Sequence, residues 1–411
     1  MGVKERVRAK VAEKKAAQKL KLSDDQQKAF DRLFDWSKKP TGASITLGGY
    51  AGTGKTTLIS ILRQEIRRHN AGTQVAFVAY TGKASQVLRA TLEAAHALYP
   101  QDSTGTIHSL LYNAHTDKEG KLLYWKRNKT IDADIIVVDE ASMVTGDIWD
   151  DLLGCGKPII ALGDHGQLPP ISGTFNLMEK PDIVLEKIHR QAENNPIIQI
   201  AHQARLTGTV APGMYSKSVR KFSHAVNDPS EINDVIDHLF SHYHDDMLVL
   251  CGRNKTRVEI NGAIRGKMGR ENGEPEVGDK VVCLKNNYTE IMAPIYNGMT
   301  GIIREIEPCK EHWYEAEIEF PEEGRNFSGK ILRSQFNAPK LIEEIKGVGF
   351  KELGDKFDFG YALTVHKAQG SQARTVVLFE ERFQKSDDEQ WRRWLYTAVT
   401  RARENLYIIG Q

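Results

Sequence analysis

The chain has 411 residues, of which 40% are hydrophobic, and its 56 Lys and Arg nearly balance its 54 Asp and Glu. This length is sufficient for two to four domains with cores of their own. No apolar run approaches the roughly 20 residues that a membrane-spanning helix needs, and the charged N-terminus lacks the apolar segment of a secretory signal. We therefore expect a globular protein that neither spans a membrane nor carries such a signal.

The cysteines lie far apart and form no C-x-x-C pair; they are Cys155, Cys251, Cys283 and Cys309. This spacing suits neither a zinc site nor a disulfide framework. It predicts a reducing, cytoplasmic setting.

Residues 1–21 carry a local excess of positive charge. They hold eight Lys and Arg against two Glu, so the rest of the chain has a net charge of −4. The segment is rich in alanine and has a thin apolar face. Two interpretations remain open: a solvated, partly frayed helix or tail, or an arm that contacts nucleic-acid phosphates.

The stretch Gly49–Thr56, GYAGTGKT, fits the phosphate-binding pattern G-x-x-x-x-G-K-[ST]. Its glycines allow backbone N–H groups to turn toward a polyphosphate. Lys55 supplies a positive charge for the β- and γ-phosphates, and Thr56 supplies a hydroxyl for Mg²⁺. A short apolar strand at 44–47 precedes the loop, and an apolar helical stripe follows it, so a positive helix end faces the phosphates. The sequence predicts a nucleoside triphosphate site.

Gln26 has two candidate roles. Ser23 is a predicted helix N-cap, which places Gln26 at the capping-box position. A glutamine amide also offers one donor and one acceptor, which match an adenine edge. The sequence leaves both roles open.

Further polar residues follow apolar strands, where parallel α/β sheets place their ligand contacts. The strand Val75–Ala79 leads into Tyr80–Ser85, and Thr106–Ser109 has a similar setting. Four aliphatic residues lead directly to Asp139 and Glu140. Adjacent strand residues point in opposite directions, so we expect Asp139 to hold Mg²⁺ and Glu140 to polarise the attacking water.

Residues 111–130 interrupt the α/β pattern with a turn signal between two aromatic-containing runs, which predicts an inserted β-hairpin. Its aromatic side chains either pack on the body or stand exposed against a base. The strand 158–162 then leads to the polar stretch 163–170. Arg190, which follows the next apolar run, is a candidate phosphate contact or an ordinary surface residue.

A second α/β unit is predicted from about residue 195. Residues 271–340 are dense in short alternating strands and turns, which predicts a small inserted β-barrel. The α/β pattern resumes at Tyr361 and ends with a helix around 387–403 and a strand from Asn405 to Ile409.

These motifs together resemble the superfamily 1 DNA helicases, and most closely their RecD/Dda-like branch, from Leu22 to the C-terminus. The resemblance rests on Gln26, GYAGTGKT, AYTGKAS, TIHS, VVDEAS, GDHGQLPP, the Arg190 segment, NKTRVEIN, TVHKAQGSQ and YTAVTRAR.

The resemblance implies an α/β fold of two RecA-like P-loop NTPase domains with parallel sheets. It divides the chain into a basic tail (1–21), domain 1A (22–190) with a strand-separating pin hairpin 1B (107–130), domain 2A (191–270 and 357–411), and an SH3-like insertion 2B (271–356).

The resemblance also implies roles at the nucleotide. Gln26 would contact adenine, Thr56 and Asp139 would hold Mg²⁺, and Glu140 would activate water. Gln167 would sense the γ-phosphate or the attacking water. Arg190 and Arg401 would reach the γ-phosphate from either side. The remaining nucleotide contacts would be Gly49, Tyr50, Ala51, Gly52, Thr53, Gly54, Lys55, Thr57 and Gly370.

For DNA, the matching positions are Thr81, Lys83, Thr106, His108, Tyr124, Arg253, Asn254, Thr364, His366 and Lys367. Tyr124 falls where an aromatic residue of the pin would meet the duplex junction. One departure is Tyr80, which stands where the family usually has proline and either adds a stacking surface or fills space. The role of His189 stays open.

The implied function is 5′→3′ translocation on single-stranded DNA with duplex separation, driven by Mg²⁺-dependent ATP hydrolysis. The implied partners are single-stranded DNA and its junctions with duplex, together with a single-strand binding protein or replication proteins. The expected state is a monomer, in the cytoplasm of a bacterial or phage-infected cell. The alternatives are a translocase that strips bound proteins and a nucleic-acid-binding module with a degenerate ATPase. A small-molecule P-loop kinase would explain GYAGTGKT but not TVHKAQGSQ.

Overall fold

The computed structural model describes residues 22–116, 122–128, 130–170, 175–188, 194–285, 287, 295, 297–349, 352–383 and 387–410. Two six-stranded sheets, a five-stranded sheet and a two-stranded hairpin organise these residues. Residues 1–21 lie outside the described set, so the two interpretations of the tail remain predictions.

The first half of the chain forms a parallel α/β unit. Its strands are β1 (Ser44–Gly49), β2 (Val75–Ala79), β3 (Ser103–Thr106), β4 (Tyr112–Thr116), β5 (Leu122–Arg127), β6 (Ile135–Asp139), β7 (Ile159–Gly163) and β8 (Ile183–Leu185). Its helices are α1 (Asp24–Lys38), α2 (Lys55–His69), α3 (Gly82–Ala94), α4 (Ile107–Leu111) and α5 (Gly146–Leu153). Six of the strands form one parallel sheet in the order β3-β2-β6-β7-β1-β8.

Both faces of this sheet are covered. Apolar side chains of α1, α2 and α3 bury one face, and α4 and α5 contribute to the core on the other. Strands buried on both faces need near-continuous aliphatic sequence, which explains Ile135–Val138. Because every strand of this sheet runs the same way, the loops after β1, β2, β3, β6 and β7 all emerge at one edge of the sheet. Most residues of this half that are predicted to bind nucleotide and DNA lie in or beside these loops.

The predicted hairpin is confirmed as β4 and β5, which pair antiparallel with His115 opposite Tyr124. At its base, the Tyr112 hydroxyl donates to Asp151 at 2.6 Å and Arg127 forms an ion pair with the same carboxylate at 2.9 Å. Residues 117–121 and the side chains of 113–126 lie outside the described set, so the exposure of the hairpin aromatics is still a prediction.

The second half supplies the remaining elements. The strands are β9 (Gly213–Ser216), β10 (Val219–Ser223), β11 (Met247–Cys251), β12 (Lys280–Cys283), β13 (Thr300–Cys309), β14 (Trp313–Phe320), β15 (Arg325–Leu332), β16 (Phe357–Phe359), β17 (Ala362–Thr364), β18 (Ala373–Phe379) and β19 (Ala402–Gly410). The helices are α6 (Pro196–Thr207), α7 (Pro229–Ser241), α8 (Asn254–Lys267) and α9 (Asp388–Val399). The second six-stranded sheet has the order β17-β11-β18-β19-β10-β9 and is parallel except for β9.

The five-stranded sheet β15-β14-β13-β12-β16 corresponds to the predicted β-barrel. Its ends meet, because Ile331 of β15 forms a parallel bridge with Asp355 just before β16. Phe320, Phe327 and Phe357 pack inside it.

Two boundaries predicted from the sequence need correction. The strand Phe357–Phe359, which was assigned to the second α/β unit, pairs with β12 of the five-stranded sheet, so the boundary lies near Gly360. The sequence of this three-residue strand, Phe-Asp-Phe, carries no information about which sheet it joins. The last helix ends at Val399 rather than near 403, and the last strand begins at Ala402.

Among the described residues, no helix is both long enough and apolar enough to cross a membrane.

Candidate functional site

The phosphate-binding loop joins β1 to α2, as the motif predicts. Gly52 and Gly54 have φ angles of +80° and +81°, in the left-handed region that glycine enters without a Cβ penalty. Lys55 Nζ donates to the carbonyl oxygens of Gly49 at 2.6 Å and Tyr50 at 3.2 Å. Since α2 begins at Lys55, the N–H groups of Lys55, Thr56 and Thr57 have no partner one turn earlier in the helix. The loop thus presents the backbone donors and the cation that a polyphosphate requires.

Gln26 lies buried against this loop. Its Oε1 accepts from the Ser23 N–H at 3.0 Å, and its Nε2 donates to the Thr53 carbonyl at 2.9 Å. A Cβ on Gly54 would lie 2.6 Å from Nε2, so this approach needs glycine. The capping-box role is confirmed. Both groups of the amide are engaged within the protein, and contact with adenine stays a prediction.

Asp139 and Glu140 lie at the carboxyl end of β6. The Glu140 N–H donates to Asp139 Oδ1 at 2.9 Å. Burial, with the neighbouring Glu140 carboxylate, raises the pKa of Asp139 to about 6, against the opposing effect of Lys55. Glu140 has a φ of +52°, which is strained for a residue with a Cβ. Such strain is typical of functional positions and turns Glu140 away from the line of the strand.

Two buried side-chain oxygen atoms in the loops after β6 and β7 find no hydrogen-bond partner among the described residues. They are Oγ of Ser142 and Oε1 of Gln167, whose Nε2 lies 3.4 Å from Asp164 Oδ2. Buried polar atoms are normally satisfied. Thr56 and Asp139, which are predicted to hold Mg²⁺, supply a hydroxyl and a carboxylate, which are oxygen ligands of the kind that Mg²⁺ takes.

Helix α9 of the second half packs on the loop after β7. Arg393 donates to the carbonyl oxygens of His165 at 3.1 Å and Gln167 at 3.3 Å. Thr397 Oγ1 accepts from the Leu168 N–H at 2.9 Å. Positions three and four apart share one helix face, so a single face of α9 carries these contacts between the halves.

Tyr396 on this face joins the two loops. Its hydroxyl accepts from the Ala51 N–H at 2.7 Å and donates to Asp164 Oδ2 at 2.6 Å. Burial, and the Asp164 carboxylate, raise the pKa of Tyr396 well above its ordinary value. The hydroxyl therefore remains protonated and acts as donor and acceptor at once.

A second contact from the other half covers Tyr50 of the phosphate-binding loop. The Arg205 guanidinium lies 3.9 Å from the Tyr50 ring centroid. The His165 ring lies 4.2 Å away, and the Tyr396 ring meets Tyr50 edge-on at 6.2 Å. The phosphate-binding loop is thus enclosed by groups from both halves of the chain.

Arg401 is 1% exposed between α9 and β19. Its guanidinium donates to the carbonyl oxygens of Thr397 at 3.0 Å and Ser371 at 3.4 Å, and to the Thr400 hydroxyl at 3.2 Å. These partners all belong to the second half, and contact of the guanidinium with a γ-phosphate stays a prediction. Arg190 and His189 lie outside the described residues.

Gly370 lies where the second half meets the first. It has a φ of +72°, and its carbonyl accepts from the Thr81 hydroxyl at 3.2 Å. A Cβ there would lie 2.7 Å from Met143 Sδ. Gly370 therefore joins a predicted DNA residue to the segment after Glu140, while its nucleotide contact stays a prediction.

A cavity of about 1230 Å³ runs between the first half, the second half and the five-stranded sheet. It is lined by five of the residues predicted to bind DNA: Thr81, Thr106, His108, His366 and Lys367. Lys367 Nζ also donates to Asn297 Oδ1 at 2.7 Å, which connects it to the barrel. We call this cavity the channel.

The other predicted DNA residues lie elsewhere. Arg253 and Asn254 are exposed at the carboxyl end of β11, and Thr364 is buried beside them on β17. Lys83 lies 3.8 Å from Glu322 of the barrel. Tyr124 is on β5, and its side chain is outside the described set.

The turn between β14 and β15 docks on the first half beside the channel. The Gly82 N–H at the start of α3 donates to Glu323 Oε1 at 3.1 Å, and Gln86 Nε2 donates to the Glu322 carbonyl at 3.2 Å. A Cβ on Gly82 would lie 2.3 Å from that carbonyl. The barrel therefore contacts the first half directly.

Burial shifts the pKa of three side chains that line the channel. It lowers the pKa of His108 to about 4, together with Arg325, and lowers that of His366. It also lowers the pKa of Lys367 to about 8, with Arg257 adding to the effect. At neutral pH the histidines are uncharged, while Lys367 carries most of its charge.

Two family models and several helicase relatives match this chain. The AAA domain family matches residues 21–223, and the UvrD-like helicase C-terminal domain matches residues 359–409. The ATP-dependent RecD2 DNA helicase of Deinococcus radiodurans is 27% identical over 95% of this chain and 49% of its own length. The ATP-dependent DNA helicase dda of Enterobacteria phage T4 is 24% identical over 94% of this chain and 99% of its own. Together, these family models and relatives support a superfamily 1 helicase of the RecD/Dda-like kind.

The chain spans about half the length of the RecD2 relative. Among solved structures, the Pif1 helicase from Bacteroides in complex with ADP-AlF3 and ssDNA covers 95% of it at 18% identity, with a TM-score of 0.47. The fold is the α/β class that the resemblance implies, with parallel RecA-like sheets and further β-structure.

Two residues that the structure places at the nucleotide site received no role from the sequence. Tyr396 and Asp164 were inside quoted motifs but received no role, because their partners lie more than 200 positions away. Tyr80 lines the channel, with His108 edge-on at 6.1 Å and Tyr112 stacked on His108 at 6.3 Å. Tyr80 also packs against the core of the first half, so both interpretations of Tyr80 remain open.

Replacing Gln26 by Ala tests its two roles. If the amide fixes the loop, affinity for ATP and for GTP should fall by the same factor, about three- to tenfold, because the Thr53 carbonyl loses its donor. Equilibrium binding of fluorescent analogues of both nucleotides measures this. Gln27→Ala, which removes only a surface contact to Asp31, is the control. A loss confined to ATP would instead support contact with adenine.

The pKa of Lys367 predicts how DNA binding depends on pH. Since deprotonation removes the cation, affinity for a single-stranded oligonucleotide should fall about three- to tenfold between pH 7 and 9. Lys367→Arg should abolish most of this dependence, because guanidinium stays charged. Fluorescence anisotropy at constant ionic strength measures it. An equal pH dependence in both proteins would contradict the assignment.

Proposed function

We propose that this chain is an ATP-dependent DNA helicase that translocates 5′→3′ on single-stranded DNA and separates duplex. The observation that carries the proposal is the joint position of two sites. The phosphate-binding loop of the first half is contacted by α9 of the second, and the channel is lined by both halves. A motion of one half against the other would therefore act on both sites.

The nucleotide site is proposed to use residues of both halves. Lys55 and the loop N–H groups would bind the phosphates, Glu140 would take the proton of the attacking water, and Gln167 would orient that water. Among the described residues, Gln167 Oε1 has no hydrogen-bond partner, so it could accept from that water. Arg401, and Arg190 from the other side, would stabilise charge on the transferring phosphoryl group once the cleft rearranges.

Thr56 and Asp139 would hold Mg²⁺, which when bound neutralises charge on the β- and γ-phosphates. Burial that raises the pKa of Asp139 also lowers the local dielectric, which strengthens its attraction to a cation. Glu140, oriented differently by its left-handed backbone, is left for proton transfer.

The channel is proposed to hold single-stranded DNA. Hydroxyls, neutral imidazoles and the cationic side chains of Lys285, Arg325 and Lys367 suit a phosphate track that does not distinguish sequence. Tyr80, His108 and Tyr112 add an aromatic wall on which bases can stack. The hairpin β4–β5, carrying Tyr124, would stand at the junction with duplex as the pin.

The proposed domains are 22–190 with the pin at 107–130, 191–270 with about 361–411, and an SH3-like insertion between them. ATP and Mg²⁺ are the proposed cofactors. Single-stranded DNA, its junctions with duplex, and a single-strand binding or replication protein are the proposed partners, in a cytoplasmic setting and with the chain as a monomer. The relatives are named DNA helicases, and the polarity rests on resemblance to their branch.

Unwinding of 5′-tailed, 3′-tailed and blunt duplexes with ATP and Mg²⁺ tests the proposal. We expect activity on 5′ tails and DNA-stimulated hydrolysis, with Glu140→Gln lowering hydrolysis about 100-fold or more. Dominant activity on 3′ tails would contradict the polarity. Hydrolysis without any unwinding would favour a translocase that strips proteins, and near-normal hydrolysis in Glu140→Gln would overturn the catalytic scheme.

Tyr124→Ala separates the pin from the motor. We expect unwinding to fall about fivefold or more, because a base loses its stacking partner, while DNA-stimulated hydrolysis is retained. Unchanged unwinding in this variant and in a variant lacking residues 113–126 would contradict the pin assignment.

A further inference from the structure

We propose that Tyr396 is a positioning residue of the nucleotide cleft, whose hydroxyl holds the phosphate-binding loop until a nucleoside triphosphate displaces it. The proposal rests on the proposed function, since it concerns the same cleft. It assigns to the second half of the chain a direct contact with the loop that binds the nucleoside triphosphate.

The geometry of the hydroxyl carries the inference. Ala51 lies within the loop whose N–H groups serve phosphate oxygens. The Tyr396 oxygen accepts from that N–H at 2.7 Å, so it occupies a donor that a phosphate oxygen can use. The same hydroxyl donates a hydrogen bond to Asp164 Oδ2 at 2.6 Å. The ring is 2% exposed, so the contact is not a chance meeting of surface groups.

Displacement of this hydroxyl would weaken the neighbouring hydrogen bonds that α9 makes. Thr397, the next residue, accepts from the Leu168 N–H through its hydroxyl and from Arg401 through its carbonyl. Arg401 follows only two residues after the end of α9. A triphosphate that takes the place of the hydroxyl would therefore loosen the helix that also restrains Arg401. This links arrival of the nucleotide to release of the arginine.

Tyr396→Phe tests the proposal because it keeps the ring and removes only the hydroxyl. Without DNA, affinity for ADP–beryllium fluoride should rise about threefold to tenfold, since the competing acceptor is gone. The rate at saturating ATP and DNA should stay within about twofold, so the effect falls on KM rather than on kcat. Hydrogen exchange of the peptide 49–57, without nucleotide, should become faster.

Tyr361→Phe is the matched control. The Tyr361 hydroxyl is also in a buried network, donating to Asp279 at 2.7 Å, but its partners all belong to the second half. This variant should lower the melting temperature without changing nucleotide affinity or exchange of the loop. If Tyr396→Phe fails to fold, Asp164→Asn, which weakens the acceptor of the same hydroxyl, should shift affinity in the same direction by a smaller factor.

A folded Tyr396→Phe protein with unchanged nucleotide affinity and unchanged exchange would overturn the proposal. These two readouts need no DNA and no turnover. They therefore judge Tyr396 even if the wild-type protein shows no DNA-stimulated hydrolysis, an outcome that would contradict the proposed function instead.

Discussion

The contact between one face of α9 and the loop after β7 is the interaction on which the two sites depend. Arg393, Tyr396 and Thr397 bind this loop through hydrogen bonds of 2.6–3.3 Å. Through Tyr396, the same face reaches the phosphate-binding loop. None of these bonds is individually large, since a net hydrogen bond contributes about 0.5–1.5 kcal/mol. Their shared helix makes them act together.

The sheet edge explains why the nucleotide cleft and the channel are adjacent. Strands β1, β6 and β7 deliver the phosphate-binding loop and the acidic residues, while β2 and β3 deliver Thr81, Thr106 and His108 to the channel. The segment after β17 contacts both regions, because Gly370 accepts from Thr81 and Gln369 donates to the Leu168 carbonyl at 2.7 Å. A shift of the second half cannot leave either region unchanged.

A site could be predicted from the sequence where its residues follow one another closely in the chain. The loop at Gly49–Thr56 and the acids after β6 were predictable, because aliphatic strands deliver short polar motifs to a known edge. Contacts between distant segments were not predictable. Nothing near Tyr396 indicates that its partner is Ala51, 345 residues earlier. Nor does the acidic pair Glu322–Glu323 indicate that it meets the start of α3, and Phe357–Phe359 does not reveal which sheet it joins.

Nucleotide binding is proposed to exchange two contacts of the second half: the Tyr396 hydroxyl leaves the phosphate-binding loop, and Arg401 leaves its own oxygens for the bound nucleotide. A crystal structure with ADP–aluminium fluoride, Mg²⁺ and a single-stranded oligonucleotide tests this most directly. We expect the Tyr396 hydroxyl to have left the Ala51 N–H, Arg401 to have exchanged Ser371 and Thr397 for the fluoride, and the strand to lie in the channel. A bound nucleotide with the Tyr396–Ala51 bond intact and Arg401 still on its own oxygens would contradict the account.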